Sequence, residues 1–203
     1  MPLHSEFRLC GNRFDGMPGD IYSYCIMPEQ VLLFRVFVGS PSDVVQEHEI
    51  IRGQIEQWNR DHGPLTRARV EYTNWRTHSH PEAGDRPQAL LNKQVVDKSD
   101  MVVGIFNARF GSPTGKADSG TEEEIRRSMK QGKTVMVYFA NLPQPRRRKE
   151  QDEFVKVEKF KQKLGQDAIY YSYTDVDIFE EAFRQHLAAA MNDLLAKYKT
   201  GLK

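Results

Sequence analysis

The chain has 203 residues, 39% of them hydrophobic and 28% charged, with a formal net charge of +1. That is the profile of an ordinary soluble globular protein, large enough to bury a core without disulfide or metal support, and its charge gives no long-range field to draw in nucleic acid. No apolar run reaches the length of a membrane span, no basic-then-apolar leader opens the chain, and the two cysteines, Cys10 and Cys25, form neither a disulfide framework nor a metal motif, so a cytoplasmic protein is expected.

Residues 1–29 are rich in Gly, Pro, Asn and Asp, show no regular period, and read as a poorly ordered tail ahead of an α/β domain over 30–203. Leu32–Val38 is a near-continuous apolar run, as a strand buried on both faces requires. Ser42 or Asp43 is placed to cap the helix that follows, in which Val44, Ile51, Ile55 and Trp58 share one face and which ends near His62-Gly63-Pro64. Arg69–Trp75 alternates as a second strand. The polar loop 76–87 leads to a helix carrying Leu90, Leu91, Val95 and Val96.

Met101–Phe106 is a third, buried strand. The loop 107–120 precedes a short helix from Thr121 to Lys130, and Thr134–Phe139 is the fourth strand. A charged helix over 147–164, a fifth strand over 168–173 and a last helix with a stripe of Phe179, Phe183, Leu187, Met191 and Leu194 complete the chain. Strands alternating with helices imply a parallel sheet joined by right-handed crossovers. The expected fold is a flavodoxin-like three-layer sandwich with five parallel strands in the order 2-1-3-4-5. Ligands of such folds sit outside the carboxyl ends of the strands, near the switch between strands 1 and 3.

Two loops at that edge stand out. Gly39-Ser-Pro-Ser-Asp43 joins small residues to a helix start, where backbone N–H groups can meet an anion or Ser42 and Asp43 can simply cap. The segment 109–121 has a superficial look of a phosphate loop. Only three residues separate Gly111 from Gly115-Lys116, and Ala117 stands where a hydroxyl is required, so a nucleoside triphosphatase is disfavoured. Ser119-Gly-Thr-Glu-Glu-Glu124 fits a capping box in two registers, Ser119 with Glu122 or Thr121 with Glu124. A cap uses one glutamate of the three, and Glu124 is expected to face a mouth lined by Trp75, Arg109 and Phe110. His78 and His80 lack a third ligand nearby and read as loop residues, so no metal is expected. The basic run 146–149 reads as a solvated helix start.

From about residue 33 to 140 the sequence resembles the bacterial Toll/interleukin-1-receptor-like (TIR-like) domains. The resemblance is carried by Val36–Asp43, Pro87-Gln88, Ser99-Asp100, Arg109–Gly115 and Ser119–Ile125. The spacing of Gly120, Thr121 and Glu124 is also similar to that of nucleoside deoxyribosyltransferases, where the glutamate is the nucleophile. The resemblance implies a catalytic Glu124 acting at an anomeric carbon, with NAD+ as substrate rather than cofactor. It also implies a nucleotide pocket built from Gly39, Ser40, Ser42, Asp43, Trp75, Arg109, Phe110, Thr114, Ser119 and Thr121. Homo-oligomerisation, an activating protein or nucleotide signal, and a role in antiphage or stress defence follow as expectations. One carboxylate suffices for such chemistry, because nicotinamide leaves NAD+ as a neutral molecule; an O-glycoside needs a second carboxyl as acid. A non-catalytic signalling or scaffold module, and a deoxyribosyltransferase, stand as alternatives.

Overall fold

The structure, a computed structural model, describes residues 30–141 and 148–201. The expected tail over 1–29, with both cysteines, and residues 146–147 of the basic run lie outside the described residues. Strands β1 (Leu32–Gly39), β2 (Ala68–Thr73), β3 (Met101–Phe106), β4 (Thr134–Ala140) and β5 (Tyr171–Tyr173) form one sheet in the order β2-β1-β3-β4-β5. Every pairing is parallel. The α/β architecture and strand order read from the alternation of strand and helix patterns are those observed.

The helices are α1 (Val45–Thr66), α2 (Trp75–His78), α3 (Pro87–Gln94), α4 (Gly120–Lys130), α5 (Arg148–Leu164) and α6 (Val176–Gly201). On one face of the sheet α1 and α6 bury Ile51, Ile55, Phe179, Phe183, Leu187 and Met191 against Val36, Val38, Val103 and Ile105. On the other, α4 and α5 bury Ile125, Val157, Phe160 and Leu164 against Phe106, Val137 and Phe139. The central strand β3 is buried at every residue, because it has a strand on each side and helices on each face.

Helix α3 stops at Gln94, leaving Val95 as its C-cap and Val96 in a 3-10 turn, where the sequence reading carried the helix on through both. Three other boundaries differ, each through a local competitor. β2 stops at Thr73 because Asn74 accepts a hydrogen bond from Thr77 N at 3.0 Å and starts α2, which takes Trp75 out of the strand. Helix α1 runs past Pro64 to Thr66 and ends where Arg67 turns left-handed (φ 52°); a proline this near the end removes little of the helix's bonding. β5 begins only at Tyr171, since the chain closing α5 is still tied back by Ala168 N to Leu164 O at 2.8 Å.

Close packing of α4 positions the site. A Cβ on Gly104 of β3 would fall 2.4 Å from Ile125 Cδ1, so the missing side chain is what lets α4 lie directly on the sheet. Its first turn thereby stands over the carboxyl ends of β1 and β3.

Candidate functional site

The structure chooses between the two capping registers. Ser119, extended at φ −151°, is the N-cap of α4, and its hydroxyl accepts from Glu122 N at 3.0 Å. Glu122 reaches back to Asp118 N at 3.2 Å and pairs with Arg126 at 2.7 Å. The cap is therefore made by Ser119, with Glu122 closing back on Asp118 N, one residue before the N-cap. Glu123 and Glu124 are released for other work.

Glu124 points inward and is only 6% exposed. Its Oε1 accepts from Gln88 Nε2 at 3.0 Å. Its Oε2 closes on β1 so tightly that a Cβ on Gly39 would lie 2.3 Å away. Gly120 plays the same part for the partner, since a Cβ there would meet Gln88 Oε1 at 2.8 Å. Both glycines thus make room for one Gln88–Glu124 pair. Burial pushes the Glu124 carboxyl up to about 8, with the neighbouring Glu123 charge adding to the rise and the Gln88 hydrogen bond opposing it. Glu124 rests protonated at neutral pH.

Glu123 is the contrasting neighbour. Burial raises it as well, but hydrogen bonds from Arg86 and Thr114 outweigh burial and hold its carboxyl below the ordinary value. Arg86 spans the gap between loops, donating to Glu123 Oε1 at 3.1 Å and to Thr114 O at 2.6 Å. Asn92, 1% exposed, donates to Glu123 Oε1 at 3.0 Å and accepts from Gln88 at 3.3 Å. Two adjacent carboxyls are thereby pushed apart, one ionised and one neutral.

The other residues expected at the site fall into three groups. Gly39, Ser40, Ser119 and Thr121 lie at the junction of β1, β3 and α4 as expected, with Ser119 fully buried in its capping role. Ser42, Asp43, Arg109 and Thr114 fasten loops to one another. Asp43 does not cap α1; its Oδ2 accepts from Ala108 N at 3.0 Å and Arg109 N at 2.9 Å, while the Arg109 guanidinium donates to Ser42 at 3.0 Å. Thr114 bonds Glu123. The last two residues are not brought to Glu124. Phe110, 2% exposed, stacks on Phe106 and packs on Phe160 in the core, so its ring does not line a mouth. Trp75, 44% exposed, stands at the end of the edge strand under the Arg76 guanidinium.

The phosphate-loop look of 109–121 has a conformational origin. Gly111 (φ 103°) and Gly115 (φ 84°) adopt backbone angles that other residues rarely take, and Glu153 of α5 holds the loop by accepting from Phe110 N and Gly111 N. Two buried polar atoms at this edge, Asp43 Oδ1 and Asn107 Nδ2, have no hydrogen-bond partner. Among the described residues no group of three or more His, Cys, Asp and Glu side chains is arranged to hold a metal, and no helix is long and apolar enough to cross a membrane.

Sequence reasoning named Gln88 only among the residues that carry the resemblance, and passed over Arg86, Asn92, His48 and Tyr72. The apolar stripe of Leu90, Leu91, Val95 and Val96 drew attention to packing, whereas the buried positions inside α3 are Asn92 and Gln94. The available signal was Gln88 with Asn92, polar residues four apart on a helix beside the glutamate motif.

The model of the family described as Domain of unknown function (DUF4062) matches residues 35–188, from within β1 to within α6. The chain belongs to this family. No curated protein matches the chain. The DUF4062 match contains the whole Gly39–Gln88–Glu123–Glu124 cluster, strands β2 to β5, and β1 from Arg35 onward.

Proposed function

We propose that this DUF4062 domain is a TIR-like NAD+ glycohydrolase in which Glu124 acts at the N-glycosidic bond to nicotinamide. One observation carries the reading: a buried carboxyl, held at Oε1 by Gln88 and seated against Gly39, at the carboxyl edge of the two central strands. A cationic N-glycoside suits this carboxyl better than a neutral one. A pyridinium ring entering beside Glu124 favours its ionised form, so binding the cation and creating the carboxylate are one coupled event. The carboxylate then stabilises positive charge developing on the ribosyl carbon as neutral nicotinamide leaves, and water completes the hydrolysis. A neutral deoxynucleoside offers no such coupling, which sets base exchange behind. Activation by oligomerisation and a place in antiphage or stress defence rest on the TIR-like resemblance alone, and a cytoplasmic location rests on the reading of the two cysteines.

A second reading is favoured by the enclosure of Glu124: a non-catalytic signalling or scaffold module in which the buried pair is structural. Incubating concentrated protein with NAD+ and following free nicotinamide separates the two. The catalytic reading expects turnover that Glu124→Gln abolishes and that rises as pH approaches 8. Turnover undiminished in Glu124→Gln removes Glu124 from the chemistry, and none at any concentration leaves the scaffold reading in place.

A further inference from the structure

A second chain of polar groups runs into the loop that follows Gly39. Asn74 is oriented without ambiguity, because its Oδ1 accepts from Thr77 N at 3.0 Å and from Thr77 Oγ1 at 2.9 Å. Its amide nitrogen therefore donates to the Tyr72 hydroxyl, 3.0 Å away. The Tyr72 oxygen also lies 2.6 Å from His48 Nδ1, and His48 Nε2 lies 2.6 Å from Ser40 Oγ.

These contacts can run in one direction. Asn74 donates into one lone pair of the phenol oxygen, and the phenol proton can be given to His48 Nδ1. His48 is neutral: burial, then the charges of Arg52 and Arg76, pull it down to about 4 against the opposing Glu49. A neutral imidazole that accepts at Nδ1 carries its proton at Nε2, and so donates to Ser40. The hydroxyl proton of Ser40 is then free to be given onward.

We propose that Tyr72, His48 and Ser40 form a one-way hydrogen-bond relay that presents the Ser40 hydroxyl as a donor to a phosphoryl oxygen of the nucleotide bound at Glu124. The inference rests on the nucleotide reading above. Ser40 directly follows Gly39, the residue on which the Glu124 carboxyl closes. A ribose hydroxyl can donate or accept and gains little from a donor of set direction, whereas a phosphoryl oxygen only accepts. The surrounding charge agrees. The Arg52 guanidinium lies 4.7 Å from the Tyr72 ring centre, Arg76 acts electrostatically on His48, and Arg109 bonds Ser42 in the same loop. Glu49 and Asp43 are the opposing acids.

The relay is read first in the free protein, by the 15N shifts of the His48 ring. The expected state is Nε2–H with bare Nδ1 from about pH 8 to about pH 5.5, passing to a tautomer mixture in Tyr72→Phe. A wild-type ring protonated at Nδ1 reverses the relay and overturns the proposal. Binding is then measured on Glu124→Gln protein, which leaves ligands intact, with NAD+ and with nicotinamide riboside, which has no phosphate. Adding Ser40→Ala should weaken NAD+ roughly tenfold, the size of one hydrogen bond to a charged group, and leave nicotinamide riboside unchanged; Tyr72→Phe should move in the same direction by less. Equal losses for both ligands reject the relay while keeping nucleotide binding. Binding of neither ligand to the wild-type chain, followed before turnover, rejects the nucleotide reading and the relay with it.

Discussion

A protonated carboxyl buried at neutral pH ties folding stability to pH with a defined sign. Glu124 is raised from an ordinary 4.5 to about 8 in the folded chain. Between those values the native state holds a proton that the unfolded chain has lost, so raising the pH favours unfolding. The stabilising contribution is fully present below about pH 4.5 and is lost as pH rises through about 8. Each pH unit in that window is worth at most about 1.4 kcal/mol, and the whole span roughly 5 kcal/mol as an upper limit. Glu124→Gln keeps the shape and the Oε1 acceptor for Gln88 but cannot titrate. Urea unfolding of wild type and Glu124→Gln from pH 5 to pH 9 isolates this group, because every other titration is common to both chains. The mutant should gain on wild type by several kcal/mol across the range. A difference that stays flat with pH would mean that Glu124 is ionised in the folded protein, and the argument from burial would fail.

Four further outcomes follow from the geometry. Gly39→Ala forces a methyl against the Glu124 carboxylate oxygen, 2.3 Å away, and should lower stability by about 1–3 kcal/mol; most of that loss should vanish on a Glu124→Ala background in a double-mutant unfolding cycle. His48, held down at about 4, is neutral when folded and protonated when unfolded between that value and its ordinary 6.5, so its stabilisation is present above 6.5 and lost as pH falls toward 4; an acid-side stability curve should lose that slope in His48→Gln. Phe110→Ala removes a buried ring and should cost about 3–5 kcal/mol of unfolding free energy, while Trp75→Ala should change it by no more than about 0.5 kcal/mol; the reverse order would return Phe110 to the mouth. Ser119→Ala should cost about 1–2 kcal/mol through the lost cap, and a neutral result in chemical unfolding would put the cap back in the Thr121 register.

The backbone plan was legible because it depends on short-range pattern. The apolar run of β1, the fully buried β3 and the stripes of α1 and α6 each have a period that one kind of element satisfies. Parallel strands joined by helices then leave few sheet orders to consider. Glu124 was legible as a candidate for the same reason: it follows a helix start at a strand's carboxyl end. Its environment was not. Burial, the Gln88 hydrogen bond from α3 and the approach to Gly39 of β1 come from segments 36 and 85 residues away in sequence, and only the packing of α4 onto Gly104 brings them together. The same holds for the failures. Phe110 reads as a pocket ring in a loop, but the loop is drawn inward by Glu153 and Asp43, so the ring joins the core. Sequence alone determined the sheet, its order and the edge at which chemistry could stand. Tertiary structure decided which glutamate caps the helix and which is buried, because a proton's affinity is set by neighbours in space.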